Sequence, residues 1–223
     1  MSGCGCGTCT SPSDSVPVAD TTTPTADAST PVDGGSPPCP PPPCPVEKIK
    51  KNLEACDGGT GAWAAAKKAI GKEPQVRVAP TSSGFAAETD VTTGTITIKP
   101  TTDCCDATES LLFELHNVES SAKFQQIDAD ALKGNLSREE YTRANERAEY
   151  EGLKRSLMAF DKCKETWGAG PGAKSFAEAF KPAKDFDDYY KHYESKAHKD
   201  TYRTWWDNSA KAAYDKKHIR KRP

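Results

Sequence analysis

The composition of this chain changes abruptly near residue 46, and this change limits which part of it can fold. Residues 1–45 hold 11 of the 17 prolines and 5 of the 9 cysteines, with no aromatic residue, no Lys and no Arg. Four aspartates give this segment a net charge of −4. So few apolar side chains cannot offset the conformational entropy that ordering would remove. The sequence therefore predicts a disordered Pro/Cys/Thr-rich arm over residues 1–45.

Residues 46–223 have the composition of one globular domain. All 30 Lys and Arg residues and 28 of the 32 acidic residues lie there, so its charge is nearly balanced. That balance makes nucleic acid an unlikely partner. No apolar run is long enough to span a membrane, and no basic start precedes an apolar stretch as in a classical signal peptide. We expect a cytoplasmic protein in the producing cell, which would need a specialised secretion system to leave it.

The order of the periodic segments predicts an α+β fold with a small, mostly antiparallel sheet. Two short helices come first, and Gly58-Gly59 is expected to stop the earlier one. Alternating patterns then indicate about three strands. The predicted helices are Pro45–Cys56 and Ala62–Ile70, and the predicted strands are Gln75–Ala79, Gly84–Asp90 and Thr95–Lys99.

A long antiparallel helical hairpin is predicted to follow the sheet. Its first helix is expected to begin with the capping-box spacing at Asp106 and to continue to Gly134. A second capping box at Ser137 opens the other helix, which ends near Trp167 and the turn at 170–172. A helical C-terminal part, about 172–223, completes the domain with predicted helices around Phe176–Phe180, from Phe186, and from Trp205 toward Lys217.

The segment Phe113-Glu114-Leu115-His116-Asn117 is a near miss of the H-E-x-x-H zinc-protease motif. The glutamate is kept, but Phe113 and Asn117 stand where the two histidines would be. Glu114 shares a helix face with Leu111 and Val118, and a carboxylate on an apolar face is costly unless it is paired or functional. Burial would raise its pKa toward the range of a general acid or base.

Two interpretations of Glu114 stay open. In the first, Glu146 and Glu149 on the second helix face the same interior, as a metal site or an acid/base pair would require. In the second, an antiparallel register about Gly134 places Glu114 opposite Arg155, which makes a structural ion pair.

Other polar residues of the chain give weaker indications of a functional site. Asn117 shares the face of Glu114 and can orient water or substrate, whereas His116 points to another side of the helix. His192 and His198, together with Asp185, Asp187 and Asp188, are either a metal patch or ordinary solvated helix polarity. The basic C-terminus, residues 218–222, suits either an anionic surface or a frayed end.

The cysteines also permit more than one interpretation. Cys4, Cys6 and Cys9 have C-x-C-x-x-C spacing, which suits either a metal or a flexible, oxidisable arm. The prolines between Cys39 and Cys44 would hold those two apart. The remaining four can form one or two disulfides or stay as buried thiols: Cys56, Cys104, Cys105 and Cys163.

The strand Thr95–Lys99, the helix bearing Glu114 and the following helix bearing Glu149 resemble the core of zincin metallopeptidases. The resemblance covers about residues 75–155. It implies a zincin-like fold in which Glu114 is the general base and Glu149 lies where a third ligand could lie. Because both histidine positions are lost, it implies a degenerate site, and the cofactor and any metal stay unknown.

The whole chain also resembles bacterial effector and polymorphic-toxin proteins, in which a disordered N-terminus precedes a compact domain. That resemblance implies an exported protein with an immunity or carrier protein as its partner. Our first hypothesis is therefore a toxin-like hydrolase that uses Glu114, His116, Asn117, Glu146 and Glu149. The alternative is a non-catalytic protein–protein interaction module tethered by the arm. The substrate and the oligomeric state are not predicted.

Overall fold

A computed structural model describes residues 42–167, 183–192 and 196–218 of the chain. The described part is α+β and mostly helical, as the sequence predicts, with one small sheet. In chain order the elements are α1 (Val46–Glu54), α2 (Asp57–Ile70), β1 (Gln75–Val78), β2 (Ala87–Asp90), β3 (Thr95–Ile98), α3 (Cys104–Glu119), α4 (Ser121–Leu132), α5 (Arg138–Trp167), α6 (Phe186–His192), α7 (Lys196–Ser209) and α8 (Lys211–His218). The predicted helix at 176–180 and the turn at 170–172 lie outside the described residues.

The sheet has three strands, as predicted, but it is mixed rather than mostly antiparallel. The strand order is β1-β3-β2, with β3 parallel to β1 and antiparallel to β2. The turn around Gly94 joins β2 and β3 as a hairpin. Strand β1 pairs with β3 although β2 lies between them in the chain. The buried Ile96 and Ile98 of the central strand face the core. Strand β2 is left as one edge of the sheet.

Gly58 and Gly59 do not stop a helix, because both lie in the first turn of α2. A side chain at Gly58 would place its Cβ 2.8 Å from the carbonyl oxygen of Ala159. The two glycines therefore let α2 approach its neighbours closely, and the sequence analysis was wrong about their role.

The first arm of the hairpin is two helices, not one. Helix α3 begins at Cys104 because the side chain of Asp103 accepts hydrogen bonds from the backbone of Cys105 and Asp106, so the predicted cap at Asp106 was three residues late. It ends at Glu119, and α4 continues the chain after a break at Ser120. The second predicted capping box is confirmed, since Ser137 and Glu140 bond each other's backbone N–H groups.

Helices α3 and α5 run antiparallel in the predicted register. The side chain of Asn117 lies beside Gly152, and the thiol of Cys105 donates to the carbonyl oxygen of Trp167. The main core lies where these two helices meet α1, α2 and the sheet, and it contains Leu53, Leu111 and Leu115.

Two disulfides fasten the N-terminal helices to the hairpin. Cys44 is joined to Cys104 across 60 residues, and Cys56 is joined to Cys163 across 107 residues. Cys44 is buried and its backbone N–H bonds Thr101, so the last residues of the predicted arm belong to the folded domain. The rest of that arm, residues 1–41, lies outside the described residues, as do Cys4, Cys6, Cys9 and Cys39.

None of the helices within the described part of the chain combines the length and apolar character that a bilayer crossing requires.

Candidate functional site

A cavity of about 620 Å³ opens between the sheet and the helices. Strand β2 and the loop before it form one wall, and α3, α5 and α7 form most of the others, with contributions from α4 and α6. Aromatic and other apolar side chains make up part of the lining, among them Phe85, Phe113 and Trp205. The polar side chains in the lining that carry a carboxylate, amide or imidazole group are Glu88, Glu114, Asn117, Asp128, Asn145, Glu149 and His198.

Glu114 is buried at the wall that α3 contributes, as its position on the apolar face of that helix predicts. Its Oε2 accepts a hydrogen bond of 2.6 Å from Thr89 Oγ1 and one of 3.1 Å from Asn117 Nδ2. Burial raises the pKa of Glu114 to about 7, although those two donors oppose the rise. That value already includes two smaller effects, since the negative charge of Glu149 raises the pKa and His198 lowers it.

The other carboxylate oxygen of Glu114, Oε1, accepts no hydrogen bond from any residue that the structure describes. An ionised carboxylate has room for several donors on its two oxygens. Thr89 and Asn117 therefore fix the orientation of Glu114 through one oxygen and leave the second available to a water or a substrate in the cavity.

Arg155 does not pair with Glu114, so the predicted ion pair was wrong. Its guanidinium lies 3.1 Å from Glu119 Oε2 and donates to Ser120 Oγ at 2.9 Å. The reason is geometric, because helical side chains lean toward the N-terminus of their own helix. In an antiparallel pair, two residues at the same level therefore lean apart, and Arg155 reaches the C-terminal end of α3.

Glu146 and Glu149 come together with His198, which the sequence analysis had not connected to them. His198 Nδ1 lies 3.0 Å from Glu146 Oε1, and His198 Nε2 lies 3.1 Å from Glu149 Oε2. The two glutamates are one turn apart on α5, and the histidine comes from α7. One ligand atom from each of the three lies within 4.8 Å of the others.

Aromatic side chains surround this group and orient it. The ring centroids of Phe85 and Tyr202 lie 5.2 and 5.6 Å from that of His198. Tyr202 also donates its hydroxyl to Glu149 Oε1. Burial and the nearby Glu149 raise the pKa of Tyr202 well above its ordinary value, so this hydroxyl remains a donor.

His116 does not line the cavity. It is buried on another side of α3, with Nδ1 2.9 Å from Glu119 Oε2, and burial lowers its pKa. The predicted patch of His192 with His198 does not form either. His192 lies 3.9 Å from Asp188 on α6, whereas His198 faces α5.

The sequence did not connect Thr89, His198 or Tyr202 with these glutamates, and His198 was instead predicted to lie beside His192. The β2 pattern predicts a strand at Thr89, but no local signal says which face of that strand meets α3. His198 and Tyr202 lie 52 and 53 residues from their glutamate partners. Only the packing of α7 on α5 brings them together.

No protein-family model, curated protein or solved structure matches this chain.

Proposed function

We propose that the chain is a hydrolase, toxin-like in its architecture, whose chemistry takes place in the cavity beside Glu114. The observation that carries the proposal is the state of this carboxylate. It is buried, it lines the cavity, and it is held by two neutral donors, rather than by a cation, that both bind the same oxygen. A carboxyl group with a pKa of about 7 both accepts and returns a proton near neutral pH.

Glu114 would act as a general base toward water. Its carboxylate takes one proton as the water oxygen bonds to the carbonyl carbon of the substrate. The tetrahedral intermediate then expels the amine, which leaves with the proton that Glu114 returns. One water is consumed, an acid and an amine are formed, and the carboxylate is regenerated. Thr89 and Asn117 position Glu114 and do not themselves react.

The zincin-like resemblance favours peptide bonds as the substrate. In support, the β2 edge of the sheet lines the cavity through Ala87, Glu88 and Thr89. A free strand edge offers backbone groups to an extended peptide. The alternative of a non-catalytic module loses its main support, because the ion pair on which a purely structural Glu114 rested is absent.

Glu114→Gln tests the proposal, and Glu109→Gln is its matched control. Both glutamates are buried on α3 and both have a raised pKa, but Glu109 does not line the cavity. The full chain is incubated with a peptide library, and new termini are read by mass spectrometry. We expect Glu114→Gln to lower cleavage by at least ~100-fold, in the range of general acid–base contributions, and Glu109→Gln to leave it unchanged.

Cooperative melting of both variants shows that the fold is intact. Equal cleavage by the wild type and folded Glu114→Gln would refute the proposal. So would the absence of any cleavage by the wild type across peptide and ester libraries.

A further inference from the structure

We propose that Glu146, Glu149 and His198 bind a divalent transition-metal ion, with Zn²⁺ as the best-suited occupant. The ion would lie at the cavity in which the proposed hydrolysis takes place, and its catalytic role rests on that proposed function. The binding itself can be tested separately. Two carboxylate oxygens and one imidazole nitrogen are a ligand set that zinc accepts, and three protein ligands with an open fourth position are typical of catalytic zinc.

The positions of the ligand atoms fit one small ion. The three candidate atoms lie within 4.8 Å of one another, and a tetrahedral ion with ligands at about 2.0–2.2 Å would separate them by about 3.5 Å. Because Nδ1 of His198 faces Glu146 and Nε2 faces Glu149, the imidazole ring would have to turn until one nitrogen faces both carboxylates. Since Glu146 and Glu149 are fixed on one helix, the adjustment falls mainly on His198, which is 23% exposed.

The charge and burial of the cluster also favour a cation. The side chain of Glu146 is fully buried and that of Glu149 is 15% exposed. Two carboxylates so far from water need positive charge.

The surroundings of the cluster provide the supporting contacts that metal ligands usually have. The hydroxyl of Tyr202 binds Glu149 Oε1 and leaves Oε2 facing His198. Such outer contacts orient ligands and tune metal affinity. Asn117 is also buried and lines the cavity, and its Oδ1, which has no hydrogen-bond partner within the described residues, lies beside Gly152 of α5, about one turn from Glu149.

An ion at this cluster would lie on the wall of the cavity that also contains Glu114. Bound zinc lowers the pKa of a coordinated water to about 7. Glu114 would then be the base next to such a water, and the lost histidine positions at Phe113 and Asn117 would be replaced by ligands from α5 and α7.

Zinc binding to the full chain is the test, with Zn²⁺ titrated in a calorimeter at pH 7. Cys4→Ser, Cys6→Ser and Cys9→Ser are introduced in every sample so that the arm thiols do not contribute. We expect one ion per chain. His198→Asn and Glu149→Gln should each weaken binding by at least ~10-fold.

The matched controls are His192→Asn, on an exposed histidine of α6, and Glu151→Gln, on the same helix as the proposed ligands. Both should bind zinc like the parent. Cobalt substitution gives a second readout, because a tetrahedral site should produce visible absorption that His198→Asn removes. Absence of binding by the parent, or equal binding by His198→Asn, would overturn the inference.

One outcome would assign His198 a different role. If His198→Asn lowers stability but the parent binds no zinc, His198 is an imidazolium that joins two carboxylates, and the metal proposal is wrong. A failure of the metal proposal can be distinguished from a failure of the proposed hydrolase function. Cleavage that depends on Glu114 but not on zinc would leave the hydrolase intact, and zinc binding retained by an inactive wild type would leave only the metal site.

Discussion

Glu109 and Glu114 are buried carboxylates on the same helix, and their surroundings give them different roles. Glu114 has two hydrogen-bond donors and a cavity beside it. For Glu109, burial and, to a smaller extent, the negative charges of Asp106 and Asp103 together raise the pKa to about 8. Ionised Glu109 is buried near two other negative charges, so it lowers the stability of the fold. Because it lies away from the cavity, it takes no part in the proposed chemistry.

Glu109→Gln should therefore stabilise the protein at alkaline pH. A raised folded-state pKa means that the contribution of Glu109 to stability is present below about 4.5 and is lost as pH rises toward 8. We expect the variant to gain about 1–3 kcal/mol at pH 8.5 and almost nothing at pH 4.5. Urea unfolding at the two pH values measures this. An equal effect at both would show that the charge of Glu109 is not the cause.

At the scale of elements, Arg155 contacts both residues at the break between α3 and α4. Its side chain reaches across from α5 to Glu119 and Ser120, the residues at which one helix ends and the next begins. Both charged side chains are 33% exposed, so solvent weakens the pair. The guanidinium still contributes to the stability of the fold, because it connects Glu119 and Ser120 to α5, the second arm of the hairpin.

A double-mutant cycle separates the observed pair from the one expected from sequence. Arg155→Ala and Glu119→Gln should couple by about 0.5–1 kcal/mol, the range for a partly exposed ion pair with an added hydrogen bond. Arg155→Ala and Glu114→Gln should add within about 0.5 kcal/mol, because they share no contact. Coupling at Glu114 instead of Glu119 would restore the structural interpretation of Glu114.

Most of the elements could be predicted from the sequence, because they depend on local patterns. Strand alternation located all three strands, and a capping box located the start of α5. The break at Ser120 was not predictable in this way, since no Gly or Pro marks it. The parallel pairing of β1 with β3 was also missed, because strand order depends on how the helices pack on the sheet.

At the scale of the whole molecule, the cavity is assembled from segments far apart in the chain. Strand β2 supplies Thr89, α3 supplies Glu114 and Asn117, α5 supplies Glu149, and α7 supplies His198. The sequence indicated Glu114 because a carboxylate stood on an apolar face. It could not indicate that His198 pairs with Glu146 and Glu149 rather than with His192, because that pairing depends on the tertiary contact between α7 and α5.

The two disulfides join the N-terminal segment to both arms of the hairpin that forms the site, at the end of the hairpin where α3 begins and α5 finishes. Cys104 lies at the start of α3 and Cys163 near the end of α5. Closing long loops in this way restricts the unfolded chain more than the folded one. The helices that present Glu114 and Glu149 are therefore held by covalent links as well as by the core.

The central claim is that Glu114 gains and loses its proton near neutral pH beside the cavity and is not half of an ion pair. Carbon-13 NMR of the side-chain carboxyl groups, in the metal-free full chain, measures its ionisation directly, with Glu114→Gln assigning the signal. The account predicts a midpoint at a pH of about 7. A midpoint at or below 4.5, the ordinary value, would mean that the carboxylate is solvated or paired with a cation, and it would contradict the claim.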